Sequence, residues 1–114
     1  MSRPAIALSA IAAVVAIAPS AFAVAEEKPA YTVVIQDHRF EPSELKIPAG
    51  QKVRLVVDNR GAGPEEFESY ELHREKVIPG GSKATLYIGP LEPGRYPFFG
   101  EFHPDTAQGA VIAE

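Results

Sequence analysis

The chain has no cysteine, and its one methionine is Met1. The first absence excludes disulfide staples, a thiolate nucleophile and a thiolate metal ligand. Without cysteine or an internal methionine, Cu(I) loses the soft donors it prefers. Helical patterning is missing too: beyond residue 25 no stretch carries an apolar period of 3.6. Neither Ser69 nor Ser82 sits in a Gly-x-Ser-x-Gly elbow, and Gly80-Gly81 falls between apolar alternations rather than before a helix. Nucleophilic catalysis and phosphate cradling are therefore unsupported. Paired-carboxylate glycosidase chemistry needs a sizeable cleft, which so small a domain rarely builds. Basic patches are lacking as well, so nucleic acid is not an expected partner.

What is present begins with an address. Arg3 precedes an apolar run over 5–18 that only Ser9 interrupts. Ala21-Phe22-Ala23 and Ala23-Val24-Ala25 are both small-x-small patterns. Residues 1–25 therefore read as a secretory signal peptide cut after Ala23 or Ala25, and the protein as exported. The run is short for a spanning helix, which needs roughly 20 apolar residues, so no direct membrane insertion is expected. Arg3 leaves with the signal, so eleven basic side chains become ten against fifteen acidic ones, net −5 rather than −4. That balance disfavours anionic membranes and suits a cation.

Residues 26–30 read as a flexible lead, and 31–114 as one domain. Within it, β-branched or alternating stretches fall at 31–36, 44–47, 52–59, 65–70, 72–78, 82–88, 96–99 and 108–113. Pro/Gly turns separate them. Val53, Leu55 and Val57 make the clearest apolar face. Seven or eight short strands at this spacing predict an all-β sandwich or small barrel.

Two segments gather metal-type donors. Glu101 and His103 stand two residues apart after an aromatic strand. On extended backbone both would leave one face and Phe102 would point the other way, into apolar packing. Glu65, Glu66 and Glu68 crowd the segment after Pro64. Alternation sends Phe67 into the core and Glu66 and Glu68 to the opposite face together. Acids so close repel, a cost that a bound cation would offset; an acidic solvated strand edge is the competing explanation. His38 and His73 read as surface residues, with His38 able to cap the same end of the fold.

Phe40-x-Pro42, Leu45-x-Ile47-Pro48-Ala49-Gly50 and Val53-x-Leu55-x-Val57-x-Asn59 resemble the opening strands of the cupredoxin family. Ile78-Pro79-Gly80-Gly81, Leu91-x-Pro93-Gly94-x-Tyr96 and Gly100-x-x-His103-Pro104 resemble its later strands and ligand loop. The resemblance implies a cupredoxin-like Greek-key β-sandwich. It puts the family's cysteine ligand at Gly100, its second histidine at His103, its methionine near Ala107 and its first histidine on the Glu65-Glu66 pair. One ligand of four survives, so a blue type-1 copper centre is not expected.

The Glu-Phe-Glu and Gly-Glu-Phe-His segments are similar to the sulfur-free periplasmic cupredoxins that accompany bacterial high-affinity ferrous iron uptake. That likeness implies a metal-binding protein for copper and/or iron that assists ferrous iron handling or oxidation, the latter together with copper or a partner protein. It implies an inner-membrane iron permease and other periplasmic iron-uptake subunits as partners. The expected metal ligands are Glu66, Glu68, Glu101 and His103, with Glu65 and His38 as secondary candidates. The alternative is a metal-free periplasmic docking module of a transport complex, its acids forming the docking face.

Overall fold

A computed structural model describes residues 29–114, together with Ser2 and residues 12–14. Most of the signal segment expected over 1–25 and most of the lead expected over 26–30 lie outside the described residues. Among the described residues, nine strands form two sheets. β1 (Ala30–Gln36), β2 (Arg39–Glu41), β4 (Val53–Asn59) and β7 (Lys83–Ile88) make one, in the order β2-β1-β4-β7. β3 (Glu44–Ile47), β5 (Glu65–Ser69), β6 (Arg74–Ile78), β8 (Gly94–Phe99) and β9 (Gln108–Ala113) make the other, in the order β3-β9-β8-β5-β6. The all-β sandwich is as expected. Among the described residues no helix is long and apolar enough to cross a membrane.

The strand that the expected seven or eight did not include is β2. It is only three residues long and pairs with β1 across a two-residue turn. Asp37 and His38 take φ of 53° and 58° there, the left-handed region that tight hairpin turns require. Residues 39–41 are polar on both sides of Phe40, so apolar periodicity gives them no signal.

The core is built from the inward positions of both sheets. Val33 and Ile35 of β1, Val53, Leu55 and Val57 of β4, and Ile88 of β7 meet Phe67, Ile78, Phe98 and Val111 from the facing sheet. Each fully buried side chain of this size contributes roughly 1.5–3 kcal/mol. Under one end of the sandwich, Phe98 packs edge-on to Phe40 at 4.9 Å and tilted against Phe67 at 4.8 Å between ring centroids. These rings are the floor on which the polar end of the molecule rests.

β1 and β4 run parallel, and both finish at that end. Connections leaving β1, β4 and β8 therefore emerge side by side. They carry His38, the approach to Glu65, and the segment from Gly100 to Ala107.

Candidate metal centre

His38 sits on the β1–β2 turn, Glu65 opens β5, and His103 lies between β8 and β9. His38 Nδ1 is 2.6 Å from Glu65 Oε1, a distance at which the ring N–H donates to the carboxylate. His103 Nε2 is 4.0 Å from the same oxygen. The two imidazoles stack, with centroids 3.6 Å apart and planes 24° off parallel. One donor atom from each of the three residues falls within 4.8 Å of the others. The histidines remain partly open to solvent, with side chains 55% and 38% exposed, whereas that of Glu65 is 4% exposed. The second carboxylate oxygen of Glu65 is buried without a hydrogen-bond partner. An unpaired buried acceptor costs about 1–3 kcal/mol, and more when charged. A cavity of about 250 Å³ lies behind the pair, between the Asp37–His38 turn and Gly61 to Gly63. A larger groove of about 710 Å³ along Pro42, Glu44, Arg95 and Gln108 holds none of these clustered donors.

A second cluster lies on the other face of β5. Donor oxygens of Glu66, Glu68, Glu75 and Glu101 also fall within 4.8 Å of one another. Glu66 and Glu68 share a face, as alternation requires, but they are buried, at 2% and 9% exposure, rather than open to water. Glu66 Oε1 accepts the Glu101 backbone N–H at 3.1 Å. Burial pushes the Glu66 carboxyl up; the Glu101 amide opposes this, and the charges of Glu101 and Glu75 add to it. Burial likewise raises Glu68, with Glu66, Glu75 and Glu101 contributing repulsion. The Glu68 charge in turn pushes the Tyr70 phenol up.

The set expected from sequence is divided between these two places. Glu66, Glu68 and Glu101 come together with Glu75, while His103 comes together with Glu65 and His38. Extended backbone through Glu101 and His103 does not occur. His103 N–H donates to Gly100 O, and both Thr106 and Ala107 N–H donate to His103 O. Successive turns replace the strand, so the two side chains diverge. Phe102 is corrected with them: it is 45% exposed rather than packed into the core. Glu75 was missed because its neighbours Arg74 and Lys76 read as a charged surface run. The signal was available in the hairpin register, where Glu75 pairs directly with Glu68 across a four-residue turn.

The arrangement fits some metals and not others. Two imidazoles and a carboxylate suit Cu(II), and they also suit Zn or Fe. A thiolate centre does not fit. A Cβ at Gly100 would stand 2.9 Å from Ala107 Cβ and 2.9 Å from Glu66 O, so even the space for a side chain is closed.

Fold and donors together define a class: a two-sheet sandwich that gathers imidazole and carboxylate side chains near one end without sulfur. The chain belongs to the cupredoxin-like domain family, whose sequence model matches residues 6–113. An uncharacterized protein of Rickettsia prowazekii (strain Madrid E) is 44% identical over 80 residues, which span 70% of this chain and 64% of that one. Auracyanin A, a blue copper protein from Chloroflexus aurantiacus, superposes with a TM-score of 0.64 at 14% identity, covering 75% of this chain and 98% of its own. Amicyanin from Paracoccus versutus gives 0.56 at 23% identity, over 75% and 81%. A chain of a heme-copper terminal oxidase dimer gives 0.63 at 18% identity, over 76% and 65%. At these identities the structural likenesses establish the fold alone.

Proposed function

We propose that this chain is a cupredoxin-like metal-binding protein in which His38, Glu65 and His103 hold Cu(II) without a thiolate. The observation that carries this reading is Glu65. It is a buried carboxylate with one oxygen 2.6 Å from His38 Nδ1 and 4.0 Å from His103 Nε2, and the other without a partner. A cation bound between these donors would offset the burial of the carboxylate charge. Bound copper supplies a Cu(II) centre of borderline and hard donors, disfavouring Cu(I). The chain's own contribution is to seat Glu65 rigidly on a β-strand and to leave His38 and His103 near solvent, where a metal can arrive.

The acidic cluster of Glu66, Glu68, Glu75 and Glu101 is the proposed place for iron. Carboxylates gain more from Fe(III) than from Fe(II), so oxygen donors lower the iron potential and favour oxidation. With the resemblance stated above, this supports a periplasmic protein that handles ferrous iron for a permease. The test is calorimetric titration with Cu(II), then with Fe(II) under anaerobic conditions. We expect stoichiometric Cu(II) binding that weakens about tenfold or more in His103→Ala. Absence of any stoichiometric heat with either ion would leave the metal-free docking module as the better account.

A further inference from the structure

We propose that Asn59 is the positioning residue for the Glu65 carboxylate, and so sets how tightly the centre of His38, Glu65 and His103 holds its metal; this rests on the metal-binding reading above. Asn59 ends β4 and is fully buried. Its Nδ2 donates to Gly63 O at 2.9 Å and to Ile78 O at 2.9 Å. Its Oδ1 accepts the Gly61 N–H at 2.9 Å. Both amide protons are therefore used, and one side chain satisfies three backbone groups.

Those three groups are the ones that decide where Glu65 lies. Gly61 and Gly63 belong to the connection that crosses from one sheet to the other and delivers Glu65. Ile78 is the residue opposite Glu65 in the β5–β6 ladder. Asn59 thus holds both the chain leading to Glu65 and the strand position facing it. Nearby backbone bonds brace the same connection. Arg60 N–H donates to Ile35 O, close to the turn bearing His38, and Gly81 N–H donates to Gly61 O. A Cβ on Gly80 would meet Ala62 O at 2.3 Å, so the β6–β7 turn lies flat against the connection.

The chemistry requires an amide at this position. Asp is nearly the same shape but turns an acceptor toward two carbonyl oxygens. An aliphatic residue leaves three backbone groups unpaired in a buried place. A merely structural role for Asn59 would lower stability and leave the metal centre alone. A positioning role acts through Glu65, and a double-mutant cycle separates the two.

The experiment measures Cu(II) affinity and the Cu(II) paramagnetic resonance spectrum of the whole chain as wild type, Asn59→Asp, Glu65→Gln and the double variant. Asn59→Asp is expected to weaken binding about tenfold or more. In the Glu65→Gln background it is expected to change neither affinity nor spectrum. Unchanged affinity in Asn59→Asp, or an equal loss in both backgrounds, overturns the proposal. If Asn59→Asp does not fold, Asn59→Ser, which keeps a hydroxyl for one of the three groups, goes through the same cycle. If the wild type binds no Cu(II), the metal-binding reading fails by itself. Positioning is then decided in the metal-free protein by the ring-proton shifts of His38, which report its stack on His103 and its bond to Glu65. Shifts that move in the Asn59 variant support positioning, and shifts that stay overturn it.

Discussion

Glu65 and Glu66 are consecutive residues of one strand, and they occupy different chemical settings. Glu65 faces two imidazoles from separate loops, with one oxygen left unpaired. Glu66 faces three other carboxylates and spends one oxygen on the Glu101 amide. The pleat alone produces the difference, because neighbouring side chains leave a strand on opposite faces. The first cluster offers a mixed donor set that suits copper. The second offers oxygen only, which suits a harder ion. One strand can therefore present two selectivities without any loop having to choose between them.

The comparison breaks first at Glu65. Glu65→Ala should weaken Cu(II) binding by more than about a hundredfold, beyond what loss of a supporting residue costs, as read by competitive titration. A smaller change would mean that the histidines alone form the centre. Glu66→Gln and Glu68→Gln sharpen the contrast from the other side. Each should leave Cu(II) affinity within about twofold while Fe(II) or Mn(II) binding falls by about tenfold, in keeping with the harder ions' preference for carboxylate. Equal losses for both ions would merge the two clusters into one site. Gly100→Ala probes the seam between them. Its methyl group would press on Ala107 and on Glu66 O, and overpacking of this kind costs about 1–3 kcal/mol, visible as a lower Tm.

The smallest effect concerns pH. The Glu66 and Glu68 carboxyls are raised by burial and by each other's neighbours, so the folded chain holds these protons more tightly than the unfolded one. Their contribution to stability is present at and below the ordinary carboxylate range. It is lost as pH rises through the raised values. The metal-free protein should therefore show a Tm that declines over that interval, and Glu68→Gln should flatten the decline. A Tm that rises instead would show that the carboxylates are stabilised in their charged form.

Much of this was legible before the structure. The alternation of Val53, Leu55 and Val57 gave β4, and that of Glu66, Phe67 and Glu68 gave both the inward phenylalanine and the shared face of the two acids. Pro/Gly spacing gave the sandwich. What stayed hidden depended on turns. The backbone from Gly100 to Ala107 coils through four hydrogen bonds that no side-chain period encodes. Glu101 and His103 were therefore expected on one face and are found in separate clusters. The Asp37–His38 turn hides in the same way, because left-handed φ at two non-glycine residues runs against residue preference. Glu65 was a secondary candidate for a related reason: a one-residue change of register would exchange its face with that of Glu66.

The close packing at Gly100 also limits which donors this end of the fold can accept. By resemblance this is where related proteins carry their sulfur ligand. Here the position lacks the room for a thiol as well as the thiol itself, since Ala107 Cβ and the Glu66 carbonyl each stand 2.9 Å from where a Cβ would sit. A single reversion to cysteine would meet a wall before it met a metal. Placing a thiolate there would need at least a coordinated retreat at Ala107, because the single substitution is overpacked. Sterics at this position therefore exclude a thiolate as firmly as the absence of cysteine does.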